Sequence, residues 1–261
     1  MKKYCIIGTD KRSLALRRLY REEGHSLVSY DLADYVIAPM PFSKDDIKIN
    51  GEILECEELI EALKDTNKVL FSGAISQEMK KKLEANNVCY HDLLSMENVA
   101  ILNAIPTSEG AIQVAMEITD FTIHNSNVMV LGYGRIGKVL SHMLSGLGAH
   151  VYCEARKEKD IALMNALGYN SVRIQDLDSY LPKMDIIFNT IPVKILTSEK
   201  LELLKRNCAI IDLASSPGGV DLDKAKMLGI SVNWALALPA KVAPVTAALY
   251  LKETIDLMVE A

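Results

Sequence analysis

From residue 128 to residue 137 the chain reads Val-Met-Val-Leu-Gly-Tyr-Gly-Arg-Ile-Gly, an apolar run that stops in glycines spaced GxGxxG. Consecutive apolar residues suit a strand buried on both faces of a parallel sheet, and the residues after Gly137 follow a helical pattern. The three glycines have separate tasks. Gly132 permits a tight strand-to-helix turn, Gly134 lets the backbone approach a pyrophosphate, and Gly137 lets the helix pack closely on the strand. The helix N-terminus at Arg135 and Ile136 then offers its N–H groups to the phosphates. A lone GxGxxG is weak evidence, but a second apolar strand at 149–153 supplies the βαβ context that a dinucleotide site requires.

The 261 residues are enough for two ordinary domains, and a composition of 49% hydrophobic and 24% charged residues is that of a globular protein. A formal net charge of -5, with no basic run, disfavours nucleic-acid binding and attraction to anionic membranes. No stretch approaches the length of a membrane span, and the N-terminus enters a strand without a signal-peptide pattern, so we expect a cytoplasmic protein. Cys5, Cys89, Cys153 and Cys208 lie in strand-like runs and Cys56 stands alone, with no metal-ligand or redox spacing among them.

Along the first part, strands at 4–7, 35–38, 69–71 and 88–90 alternate with helical segments near 12–23, 57–63 and 77–86. The alternation predicts a parallel sheet. Residues 103–109, Asn-Ala-Ile-Pro-Thr-Ser-Glu, look like a helix entry capped by Thr107, and the helix that follows links two domains. The second part repeats the pattern with strands at 128–131, 149–153, 185–189, 209–213 and 230–233. We therefore expect an α/β protein of two open parallel-sheet domains, divided as 1–122 and 123–261. The second is a Rossmann-type NAD(P)-binding domain, and an amphipathic C-terminal helix from Pro244 packs back on the first.

Cofactor choice turns on the end of the second strand, Tyr152-Cys153-Glu154-Ala155-Arg156-Lys157. With Ala155 at the usual acid position, Arg156 and Lys157 meet a 2′-phosphate and the cofactor is NADP; one residue earlier, Glu154 binds the ribose hydroxyls and the cofactor is NAD. The first register is our reading. The loops at Asn189-Thr190-Ile191-Pro192 and at Leu213-Ala214 should border the nicotinamide. In the first domain Thr9, Asp10, Arg12, Ser72 and Gly73 follow strand ends, where hydroxyls, amides and a guanidinium suit a substrate with carboxylates; Thr107 and Ser108 extend that set. Glu109 and His91 are the candidates for acid–base work. Each also has a structural reading, Glu109 as an acid favoured by a helix dipole and His91 as the end of an apolar strand.

Taken together, the run Asp120-Phe121-Thr122-Ile123-His124-Asn125-Ser126-Asn127 leading into 128–132 resembles the A-subunit family of dipicolinate synthase. Ile105-Pro106-Thr107-Ser108-Glu109-Gly110-Ala111, Phe71-Ser72-Gly73, Asn189-Thr190-Ile191-Pro192 and Asp212-Leu213-Ala214-Ser215 reinforce the resemblance over nearly the whole chain. It implies a two-domain dehydrogenase that uses NADP to oxidise dihydrodipicolinate, a small dicarboxylate, in the mother cell during sporulation. It also implies a partner, a flavoprotein-like B subunit. We expect a homo-oligomer. The family commonly places a lysine where this chain has Val245 and a basic residue where it has Ser216; Lys241 supplies a cation near the first. Two other readings stay open: a dehydrogenase for another small carboxylic acid, and a dinucleotide-binding partner or sensor without turnover.

Overall fold

The computed structural model describes residues 2–260. Two all-parallel sheets flanked by helices make an α/β protein. The chain divides into two compact units, one of Met1–Asn103 with Pro239–Ala261 and one of Ala104–Leu238.

The first unit runs β1 (Lys3–Ile6), α1 (Lys11–Glu22), β2 (Ser26–Leu27), β3 (Tyr35–Ile37), α2 (Cys56–Leu63), β4 (Val69–Ser72), α3 (Gln77–Ala85) and β5 (Cys89–Asp92). Its strands lie in the order β2-β1-β3-β4-β5, all parallel. The period-2 alternation of strands assigns each residue a face. Tyr4, Ile6, Ile37 and Phe71 pack with Leu16 and Tyr20 of α1, whereas Cys5, Val36 and Leu70 pack with Leu59 of α2 and Met79 of α3.

Helix α4 (Glu97–Ile118) carries the chain into the second unit and corrects one expectation. Thr107 is no cap: the helix begins ten residues before it and passes through Pro106, so Thr107, Ser108 and Glu109 lie mid-helix. The Pro-Thr-Ser-Glu string has the residue types of a helix start, because proline fits a first turn. The helix tolerates the proline inside with its ring buried.

The second unit contains β6 (Asn127–Leu131), α5 (Arg135–Gly146), β7 (His150–Glu154), α6 (Glu158–Ala166), β8 (Asn170–Val172), α7 (Leu177–Tyr180), β9 (Ile186–Asn189), α8 (Ser198–Glu202), β10 (Ala209–Asp212), α9 (Leu222–Leu228) and β11 (Ser231–Trp234). The order β11-β10-β9-β6-β7-β8 is that of a Rossmann domain, with the strand order reversing between β6 and β9. Near-continuous burial along β6, β9 and β10 is what a sheet covered on both faces needs.

The chain then returns to the first unit through α10 (Leu238–Val242) and α11 (Pro244–Glu260). Ala248, Leu251 and Ile255 of α11 join the core of α1 and β1. Tyr20 donates to the Asp256 carboxylate at 3.1 Å, and Lys252, itself buried, pairs with Asp256 at 2.6 Å and Glu23 at 2.5 Å. Among the described residues no helix is long and apolar enough to cross a membrane.

Candidate functional site

The turn after β6 meets the three steric demands read from its glycines. Gly132 has φ 90°, and a Cβ on it would sit 2.5 Å from the Thr190 hydroxyl. Gly137 has no room either, since its Cβ would lie 2.0 Å from the Gly132 carbonyl oxygen. Gly134, by contrast, faces open space. It is also the N-cap of α5, and among the described residues no side chain caps that helix. The first-turn N–H groups of α5 thus lack the capping acceptor that usually satisfies such groups, which is the arrangement that binds a phosphate.

Beside this turn ends β7, in register with β6 at Leu131 and Glu154. Glu154 is 1% exposed; its carboxyl accepts from the Gly132 N–H, yet its Oε1 is buried without a hydrogen-bond partner. Burial raises its pKa, against the pull of the Arg156 charge and of the Gly132 N–H. Ala155 is buried at the next position, while Arg156 and Lys157 stand exposed before α6. With Glu154 buried and drawn onto the Gly132 N–H, a small residue followed by two exposed cations fits a ribose that carries a phosphate.

The loops after β9 and β10 are joined by a buried network. The Asn189 amide donates to Asp212 Oδ1 at 2.8 Å and to the Ile191 carbonyl at 3.0 Å, and Asn189 Oδ1 accepts from the Ile191 N–H. Asp212 also accepts from Ala214 N–H at 3.1 Å and Gly219 N–H at 2.8 Å. The Asn189 side chain, fully buried, is spent on Asp212 and on the Ile191 backbone rather than on reaching outward. Thr190 donates from both its N–H and its hydroxyl to the Leu131 carbonyl, tying that loop to the glycine turn. Leu213 and Ala214 follow Asp212, and the Trp234 indole donates to the Ala214 carbonyl at 2.8 Å. Sequence reasoning missed Asp212, Gly219 and Trp234 as parts of this arrangement. The Asp-Leu-Ala-Ser string was visible, but its partners lie on other strands.

In the first unit, Thr9, Asp10, Arg12, Met40, Asn50 and Gly51 line a cavity of about 290 Å³. Ala240 borders it and Lys241 follows, exposed. Arg12 is 8% exposed and donates to the Met40 carbonyl at 2.8 Å. Desolvation lowers its pKa, with Asp10 the nearby charge that opposes the shift. Asp10 caps α1, accepting from Arg12 N–H and Ser13 N–H and from the Ser13 hydroxyl at 2.6 Å. Burial opposes its ionisation, but those hydrogen bonds outweigh it and hold the carboxyl below the usual range.

Other expected residues are placed behind or away from these features. The Ser72 hydroxyl, fully buried, donates to the Pro39 carbonyl at 2.6 Å, and Gly73 packs against Leu94 and Met40 and accepts from the Phe42 N–H. Both position the 39–42 loop. The Ser108 hydroxyl is bonded to the Ala104 carbonyl at 2.7 Å. Glu109 is exposed in an apolar groove with Ile112, Met116, Met143 and Leu147. Met143 lies about 12 Å along α5 from Arg135, so Glu109 is not brought to the glycine turn. His91 stacks on Phe71 with ring centroids 5.3 Å apart, and burial lowers its pKa.

The comparisons with known proteins agree with this geometry. Residues 107–221 match the family model of the D-isomer specific 2-hydroxyacid dehydrogenase, NAD binding domain. That match identifies a nicotinamide-dinucleotide site and a dehydrogenase type of oxidoreductase. The A subunit of dipicolinate synthase from Bacillus subtilis is 33% identical, over 94% of this chain and 91% of that protein. A crystal structure of the dipicolinate synthase A subunit from Bacillus halodurans superimposes with a TM-score of 0.92 at 29% identity, covering 100% of this chain and 98% of that one. The crystal structure of the Bacillus subtilis protein gives 0.88 at 29% identity, over 99% and 96%. With that identity spread over nearly its full length, this chain belongs to the A-subunit family of dipicolinate synthase.

Proposed function

We propose that this chain is an NADP-dependent oxidoreductase that oxidises dihydrodipicolinate to dipicolinate, pyridine-2,6-dicarboxylate, within a two-component synthase. The carrying observation is the uncapped glycine turn at Gly132–Gly134–Gly137, in a chain of this family. A bound NADP would supply the acceptor for the hydride that the substrate loses, and the accompanying proton would pass to water as the ring becomes aromatic. The residues of this chain hold and aim. First-turn amides of α5 bind the diphosphate, and Arg156 and Lys157 bind the 2′-phosphate. Glu154 is turned inward on the Gly132 N–H and is 1% exposed, so its carboxyl does not face a 2′-phosphate. The Asn189–Asp212 network keeps the loops at 190–192 and 213–214 in place for the nicotinamide. Because aromatisation drives the reaction, orientation of one C–H bond carries much of the rate. The name of the family, an A subunit, supports a second component; our reading takes it to be a flavoprotein-like B subunit and places the pair in the mother-cell cytoplasm of a sporulating bacterium.

The test is to titrate the purified chain with NADP and NAD, using Trp234, the single tryptophan, as fluorescence reporter. Dihydrodipicolinate is then added in the presence and in the absence of a B subunit, while NADPH and pyridine-dicarboxylate absorbance are followed. Turnover with NADP is the expected result. Tight NADP binding without turnover under either condition would refute the assigned reaction. A dehydrogenase for another small carboxylic acid is the second reading, favoured by Val245 and Ser216, both exposed and uncharged.

A further inference from the structure

The cavity of the first unit has three properties that bear on what it takes. It lies at the loops after β1 and β3, and in the order β2-β1-β3-β4-β5 those two strands flank the point where the chain's progression across the sheet reverses. Ligands of open parallel sheets gather at that point. Next, Arg12 is buried in its wall with one hydrogen bond to a neutral carbonyl and no ion pair to a carboxylate among the described residues. Asp10 is the nearby opposite charge, but its carboxylate is engaged by the first N–H groups of α1 and by the Ser13 hydroxyl, so an anionic ligand paired directly with the buried guanidinium adds to its stabilisation. Finally, Thr9 and Asn50 have no side-chain partner among the described residues, and Gly51, with φ 78°, presents open space.

The geometry points to this cavity as a carboxylate-recognition subsite, in which Arg12 pairs with one carboxylate of a small planar dicarboxylic acid and Thr9 and Asn50 donate to it. The assignment rests on the proposed oxidation of a dicarboxylate. A planar monoanionic group matches the fork of a guanidinium. Inorganic phosphate fits less well for two reasons. The N–H groups of α1 that would cradle it are already taken by Asp10, and the ionised Asp10 carboxylate at the wall repels a dianion more than a monoanion. The walls formed by Met40, Gly51 and Ala240 leave apolar surface for a ring.

Calorimetric titration of the full chain, with saturating NADP and without it, tests this with pyridine-2,6-dicarboxylate, pyridine-2-carboxylate, glutarate and inorganic phosphate as probes. Arg12→Gln should weaken pyridine-2,6-dicarboxylate by about tenfold to a hundredfold, the loss expected for hydrogen bonds to a charged group. Asn50→Ala and Thr9→Val should weaken it by about three- to tenfold. NADP affinity, read from Trp234, should not change. Arg12 also holds the Met40 carbonyl, so Arg12→Gln must keep its circular dichroism; if it fails to fold, Asn50→Ala and Thr9→Val decide. Unchanged dicarboxylate affinity in the folded variants, or phosphate binding as tightly as the dicarboxylate, overturns the subsite. Turnover of dihydrodipicolinate with an unaltered KM in Arg12→Gln overturns the subsite and leaves the reaction standing. Binding of glutarate but of neither pyridine acid overturns the planar ligand assigned to the subsite and the reaction with it.

Discussion

Two turns in this molecule are built on one plan and end with opposite consequences. Each follows an inner strand of a parallel sheet, opens on a glycine with positive φ, 114° at Gly8 and 90° at Gly132, and enters a twelve-residue helix. After Gly8 the chain places Asp10, whose carboxylate satisfies the first N–H groups of α1 from within the protein. After Gly132 it places Gly134, which has no side chain to do so. The first turn closes itself, and the second waits for an anion from outside. A helix N-terminus is thus a binding site only where its own chain declines to cap it.

The comparison breaks most sharply at Gly134→Asp, which installs at the second turn the cap found at the first. Open space at Gly134 means that the fold survives. Dinucleotide affinity should fall by more than about a hundredfold, from the lost diphosphate contacts and the added like charge, with melting temperature almost unmoved. Titration by Trp234 fluorescence, beside a thermal melt, reads both. Next in size is Arg156→Ala, expected to weaken NADP by about ten- to a hundredfold and leave NAD unchanged. Equal loss for both dinucleotides would place the 2′-phosphate elsewhere. Asp10→Ala should cost about 1–2 kcal/mol of stability in chemical denaturation, the usual value of a lost cap, with no change in dinucleotide affinity.

The smallest effect is a pH dependence at Glu154. Because the fold raises its pKa, the folded chain holds that proton more tightly than the unfolded chain does. Its contribution to stability is present below the ordinary glutamate range and is lost as pH rises through the raised value. Glu154→Gln cannot lose that proton. The melting temperature of Glu154→Gln should therefore gain on that of the parent chain as pH increases from about 4 to 8, and a constant difference would contradict the shift.

What was legible in the sequence was whatever a backbone demand writes into residue type. Gly132 and Gly137 stand where the backbone leaves no room for a Cβ and Gly134 where a side chain would cap the helix, so all three tasks are written in residue type, and the strands around them are long apolar runs. Helix α4 was misread at its start because a local signal, proline followed by capping residues, competed with packing that carries the helix through. Strands β2 and β8, of two and three residues, carry too little pattern to be seen. Asn189 looked like a ligand-facing residue, and its partner Asp212 makes it an internal brace. Arg12 was visible as a charge near a strand end, but its burial depends on the Met40 carbonyl from another loop. Side-chain direction is a tertiary property, and a single sequence does not encode it locally.

The return of α11 to the first unit has a consequence for the order in which this protein is made. Residues 104–238 form their unit from one contiguous stretch, whereas the first unit needs residues from both ends of the sequence. Tyr4, Leu16 and Tyr20 leave the ribosome long before Leu251 and Ile255, with which they share a core. The usual order of domain maturation on the ribosome, N-terminal first, does not suit a unit whose core waits on a segment made after the other unit. The dinucleotide-binding half can form while the ribosome still holds the chain, and the half synthesised first is completed last.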